Sequence, residues 1–89
     1  MNANYDKIEK KFGELINSLK EIFTQPELNE VIEFIKHNEF GLAFDTTIDI
    51  IIEESKIIDK DTFHLITNLC TAMELDLDNT SNKLSHHVH

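Results

Sequence analysis

Residues 39–54 read Glu39-Phe40-Gly41-Leu42-Ala43-Phe44-Asp45-Thr46-Thr47-Ile48-Asp49-Ile50-Ile51-Ile52-Glu53-Glu54, and their spacing decides the fold class. Phe40, Ala43, Phe44, Thr47, Ile48, Ile51 and Ile52 recur at steps of three and four. That is the period of a helix with one apolar stripe, not the alternation of a strand. A second row runs along the same helix: Asp45, Asp49 and Glu53 are spaced i, i+4, i+8, so they share one face. Leu42 and Ile50 sit off the inner stripe and flank these acids. Gly41 in the first turn is expected to let this helix approach the preceding one closely.

Outward from this segment the same period repeats. Before it, Leu28, Val31, Ile32 and Ile35 form a shorter apolar stripe ending near Lys36. Thr24 and Glu27 have capping-box spacing around Pro26, which a first helical turn tolerates. His37-Asn38 is a short connection, with Asn38 the expected N-cap of the helix that opens at Glu39. Upstream, Tyr5, Ile8, Phe12, Leu15, Ile16, Leu19, Ile22 and Phe23 form one stripe over about Asn4–Phe23. Downstream, Asp59 is placed to cap a helix over about Lys60–Met73, with Phe63, Ile66, Leu69, Cys70 and Met73 inward. After Asp76 the pattern stops. The expected architecture is all-α, a small antiparallel four-helix bundle. Residues 1–78 form one helical domain and residues 79–89 a polar C-terminal tail.

The chain has 89 residues, with 17 acids, 8 lysines and no arginine, for a net charge of −9. Residues 1–20 are close to neutral, at +1, and residues 21–78 carry −11. Such a surface repels phosphate, which argues against nucleic acid and an anionic membrane as partners and favours a basic protein. Cys70 stands alone among apolar residues and is expected to be buried and inert. The chain opens directly into amphipathic helix, without a signal-peptide pattern, and its longest apolar run is Ile50-Ile51-Ile52. A cytoplasmic protein is expected.

No catalytic constellation is visible: no nucleophile stands in motif spacing with a base, and no glycine-rich phosphate loop or paired-cysteine metal site occurs. No cofactor is expected, and the chain is not read as an enzyme. A solvated polar face accounts for His64. Asp76, Asp78, Thr80 and Asn82 alternate like the start of a calcium loop, but Ser81 and His87 stand where glycine and a bidentate glutamate are needed. His86, His87 and His89 lie on a segment expected to lack a scaffold for metal geometry. An acidic helical chain of this length invites comparison with acyl carrier proteins, yet Ser18 falls inside the first helix, the wrong place for an exposed attachment site.

The acids remain. Beside Asp45, Asp49 and Glu53, the candidate partner-binding residues are Glu54, Asp59 and Asp61 in the following loop and helix start, Glu30 and Glu33 on the second helix, and Leu42 and Ile50. Any one acid is explained by solubility. A row of three is another matter, because like charges at i, i+4 cost a few tenths of a kcal/mol per pair.

The stretch from Glu30 to Asp76 resembles the MafI-like immunity proteins. The resemblance rests on Glu39-Phe40-Gly41-Leu42-Ala43 opening a helix with an acid-rich end, and on a capped final helix closing in Ala72-Met73-Glu74-Leu75-Asp76. It covers about half the chain; the His-containing tail falls outside it. The resemblance implies a small helical antitoxin that binds the C-terminal toxin domain of a contact-dependent growth inhibition or related polymorphic toxin system, often a ribonuclease with a basic groove. The alternative is a small helical adaptor or regulatory subunit that acts by oligomerisation, suggested by Phe34, Leu42 and Ile50.

Overall fold

In the computed structural model, residues 3–89 are described, with side chains from Tyr5 onward. Met1 and Asn2, part of the expected lead-in to the first helix, lie outside them. The helices are α1 (Ala3–Leu19), α2 (Gln25–Lys36), α3 (Phe40–Glu53), α4 (Lys60–Ala72) and α5 (Leu77–Leu84). The all-helical expectation holds, but the described residues form five helices rather than four.

Helix α1 packs against α4 and α2 against α3, while α5 touches both α3 and α4. The shortest axis of the molecule is 19 Å, about two helix diameters, which fits two layers sharing one core. From α1, Phe12, Leu15 and Leu19 are fully buried, joined by Val31 of α2, Ala43 and Ile51 of α3, and Ile66, Leu69 and Cys70 of α4. Each fully buried leucine, isoleucine or phenylalanine contributes roughly 1.5–3 kcal/mol by leaving water. Phe40 ties the start of α3 to α1: it stacks on Phe12 at 5.7 Å between centroids and meets Tyr5 in a T-shaped contact at 5.6 Å.

The helix starts largely follow the expected chemistry. Thr24 Oγ1 accepts from the Glu27 N–H at 3.3 Å, and the Thr24 N–H donates to Glu27 Oε1 at 2.9 Å, completing the capping box. Asp59 Oδ1 accepts from the Thr62 N–H at 2.7 Å. Asn38 departs from expectation: the N-cap of α3 is Glu39, with no side-chain cap, and Asn38 lies at φ 58°. It serves the end of α2 instead. The Glu39 N–H donates to the Phe34 carbonyl at 2.9 Å and the Asn38 N–H to that of Ile35 at 3.0 Å. This is the Schellman pattern, in which a left-handed residue closes the last turn.

The same closure ends α3 at Ser55 (φ 52°) and α4 at Glu74 (φ 58°). None of the three left-handed positions holds glycine. The two glycines, Gly13 and Gly41, lie inside helices, and a Cβ at either would meet nothing within 4 Å. Gly41 therefore does not mediate a close helix approach.

The largest revision concerns residues 77–89. In place of a loose polar tail, α5 forms behind an Asp76 N-cap, whose Oδ1 accepts from the Asn79 N–H at 3.0 Å. Thr80 and Leu84 are buried, and Thr80 Oγ1 accepts the Cys70 thiol at 3.6 Å. The calcium-like alternation is thus the first turns of a packed helix. The last residues are bonded too. Ile58 N–H donates to the His87 carbonyl at 2.7 Å and His89 N–H to that of Ile58 at 2.8 Å. They form a single parallel bridge between Ile58 and Val88. His87 Nδ1 donates to the Lys56 carbonyl at 2.9 Å, so Nδ1 carries the ring proton.

Candidate functional site

Helix α3 is buried on an arc wider than one stripe, because α2 and α5 both pack on it. Ile50, expected off the inner stripe as a partner contact, is only 8% exposed and belongs to the core. Ile52, expected inward, is 36% exposed. The remaining outer face carries Leu42, Asp45, Asp49, Ile52 and Glu53, all exposed. Helical spacing places them on one side over about 16 Å of axis, at 1.5 Å per residue. Leu42 is half exposed, at 50%.

The electrostatics of this face differ from those elsewhere. The two ion pairs among the described residues are Lys56–Glu27 at 3.0 Å and His37–Glu33 at 3.0 Å. Neither involves Asp45, Asp49 or Glu53, so the row expected to stay unneutralised has no cation within ion-pair distance among the described residues. The like-charge cost inside α3 is therefore not offset by local pairing.

Beside this face, α3, α5 and the turn before α5 line an open cleft of about 370 Å³. Phe44, Ile48 and Leu75 supply its apolar surface, and Asp45, Asp49 and Asp76 its carboxylates. Lys83, in the last turn of α5, is its one cation.

The other expected partner-binding residues do not gather here. Glu30 and Glu33 stay on α2, with Glu33 held by His37. Glu54 is the C-cap of α3, and Asp59 and Asp61 stand at the start of α4. Asp59 is occupied by the fold: the Thr62 backbone N–H, then the Thr62 hydroxyl, hold its carboxyl below the ordinary 3.8. Glu27 is likewise held below the ordinary 4.5, first by the Thr24 N–H and then by Lys56.

Leu75, Asp76 and Lys83 are not among the residues expected to bind a partner: Lys83 falls in the expected tail of residues 79–89, and Leu75 and Asp76 read as the end of the last expected helix. The available signal was Leu77, Thr80 and Leu84 at i, i+3, i+7 behind an Asp, a helix pattern too short and too polar to stand out. Of the apolar residues that suggested oligomerisation, Phe34 packs against the core and Ile50 lies within it, leaving only Leu42 outside.

Among the described residues, no three His, Cys, Asp or Glu side chains come together to hold one metal ion, and no helix is long and apolar enough to cross a membrane. Comparison with known proteins finds no matching family model, no matching curated protein and no matching solved structure.

Proposed function

We propose that this chain is an immunity protein: it neutralises a basic toxin domain in the cytoplasm by binding it, and catalyses nothing itself. The observation that carries this reading is the outer face of α3, where Asp45, Asp49 and Glu53 stand exposed beside Leu42 and without an ion-pair partner among the described residues. Apolar side chains among charges of one sign suit an interface with a partner of the opposite sign. The resemblance of residues 30–76 to MafI-like immunity proteins supplies the class of partner, a toxin domain encoded beside this chain. If that domain is a ribonuclease, a row of carboxylates can stand in its groove where RNA phosphates would lie, or hold it at a separate surface. Long-range attraction speeds capture in either mode.

The test is titration of the purified toxin domain with this chain, together with survival of cells expressing the toxin. Tight binding that weakens with salt, and rescue of growth, are expected. A toxin domain that neither binds nor is silenced would overturn the reading.

A further inference from the structure

We propose that residues 85–89 form a latch that opens as a unit while the helices stay folded, and that its closure holds Lys56 on Glu27. The latch is independent of the partner-binding role given to α3.

It is built on the connection between α3 and α4. There the Lys56 N–H closes the end of α3 on the Ile51 carbonyl at 2.9 Å. The backbone groups that follow turn to His87 and His89. The Lys56 carbonyl accepts from His87 Nδ1 at 2.9 Å. The Ile58 N–H donates to the His87 carbonyl at 2.7 Å, and the Ile58 carbonyl accepts from the His89 N–H at 2.8 Å. Ile58 is fully buried. Its two peptide groups therefore stay paired away from water only while the latch is closed.

Little else holds this segment. Ser85, His86 and His89 are exposed, and His87 and Val88 are half-buried. Leu84, the last residue of α5, is fully buried and fastens that helix separately. Residues 85–89 thus add few apolar contacts to the core, which is the mark of a part that opens locally. Opening breaks the three bonds to the α3–α4 connection and none inside a helix.

Lys56 carries the state of the latch across the molecule. Its carbonyl takes the His87 ring while its ammonium reaches Glu27 Oε1 at 3.0 Å. The two side chains of that pair are only 17% and 18% exposed. Glu27 in turn completes the capping box of α2. An ion pair must overcome the freedom of the chain that bears it. With the Lys56 N–H held by α3 and its carbonyl by His87, much of that freedom is gone before the pair forms. His87 is a positioning residue for Lys56.

Native-state hydrogen exchange on the full chain, labelled with 15N, tests the opening. The Ile58 amide should exchange at least about a hundredfold faster than that of Leu69 in α4, at a rate that low denaturant barely changes, as a local opening requires. Carboxyl NMR of Glu27 tests the link. His87→Phe with His89→Pro removes two of the three bonds, and circular dichroism establishes that the helices remain. Glu27 should then titrate nearer its ordinary 4.5, but only part of the way, since Thr24 still holds it. His87→Asn, which returns a donor to the place of Nδ1, should leave Glu27 as in the unmodified chain. Nδ1 carries a hydrogen in this tautomer and in the protonated ring alike, so the bond persists through the titration. An Ile58 amide as slow and as denaturant-sensitive as that of Leu69 would mean that residues 85–89 open only with the whole fold, and would overturn the proposal. So would a Glu27 titration that does not move in the folded double variant.

Discussion

Two acidic regions of this molecule have opposite relations to the fold. Around the α3–α4 connection, carboxylates are used. Glu27 closes the capping box of α2 and pairs with Lys56, whose ammonium also lies 5.9 Å from the Phe23 ring centre. Asp59 caps α4. Along the outer face of α3, Asp45, Asp49 and Glu53 neither cap a helix nor pair with a cation among the described residues. The difference teaches that acidity alone does not mark an interface. In the reading proposed above, what marks it is acid for which the fold has no use and which it keeps despite self-repulsion.

The largest expected effect comes from reversing the second region. Asp45→Lys, Asp49→Lys and Glu53→Lys together should weaken toxin binding by about a hundredfold or more. Stability should change by less than about 0.5 kcal/mol, since one like-charge row replaces another. Calorimetric titration and thermal melts on the same samples measure both. The first region should answer the other way. Thr24→Ala removes the cap of α2 and should cost about 1 kcal/mol, or roughly 4–8 °C in Tm, while toxin affinity stays unchanged.

A smaller effect sits at the left-handed positions. Ser55→Gly and Glu74→Gly should each stabilise by about 0.5–1 kcal/mol, because glycine adopts φ > 0 without a Cβ clash. Chemical denaturation would detect this, and an unchanged midpoint would mean those turns are not held left-handed in solution.

The mildest test is pH. Glu27 and Asp59 are both held below their ordinary values of 4.5 and 3.8. Their contribution is therefore complete above those values and is lost as pH falls through the lower folded ones. Melting temperature should be flat from neutrality to about pH 5 and decline below about 4.5. In Lys56→Met, Glu27 should titrate closer to its ordinary value.

How legible this was from the sequence depended on length and on sidedness. Helices α1 to α4 follow from apolar residues at steps of three and four, and two of their starts from Thr24 and Asp59. Helix α5 was missed because eight residues rich in Asn, Ser and Thr give two turns of pattern and little hydrophobicity. Its packing beside α2 on α3 widens the buried arc of that helix, so a single-stripe reading left Ile50 outside. The acid row on α3 was legible because i, i+4 spacing fixes a face whatever the tertiary packing. The cleft was not, since five of its nine lining residues come from α5 and the turn before it. Asn38 was misassigned because a two-residue connection must end one helix before it begins another.

The most direct test is to measure the affinity of the toxin domain for the unmodified chain and for the Asp45, Asp49 and Glu53 triple lysine variant, at low and at physiological salt. The expected result is tight, salt-sensitive binding by the unmodified chain and loss of at least about a hundredfold in a variant that melts normally. A folded triple variant that binds as tightly as the unmodified chain would contradict the assignment of the α3 face.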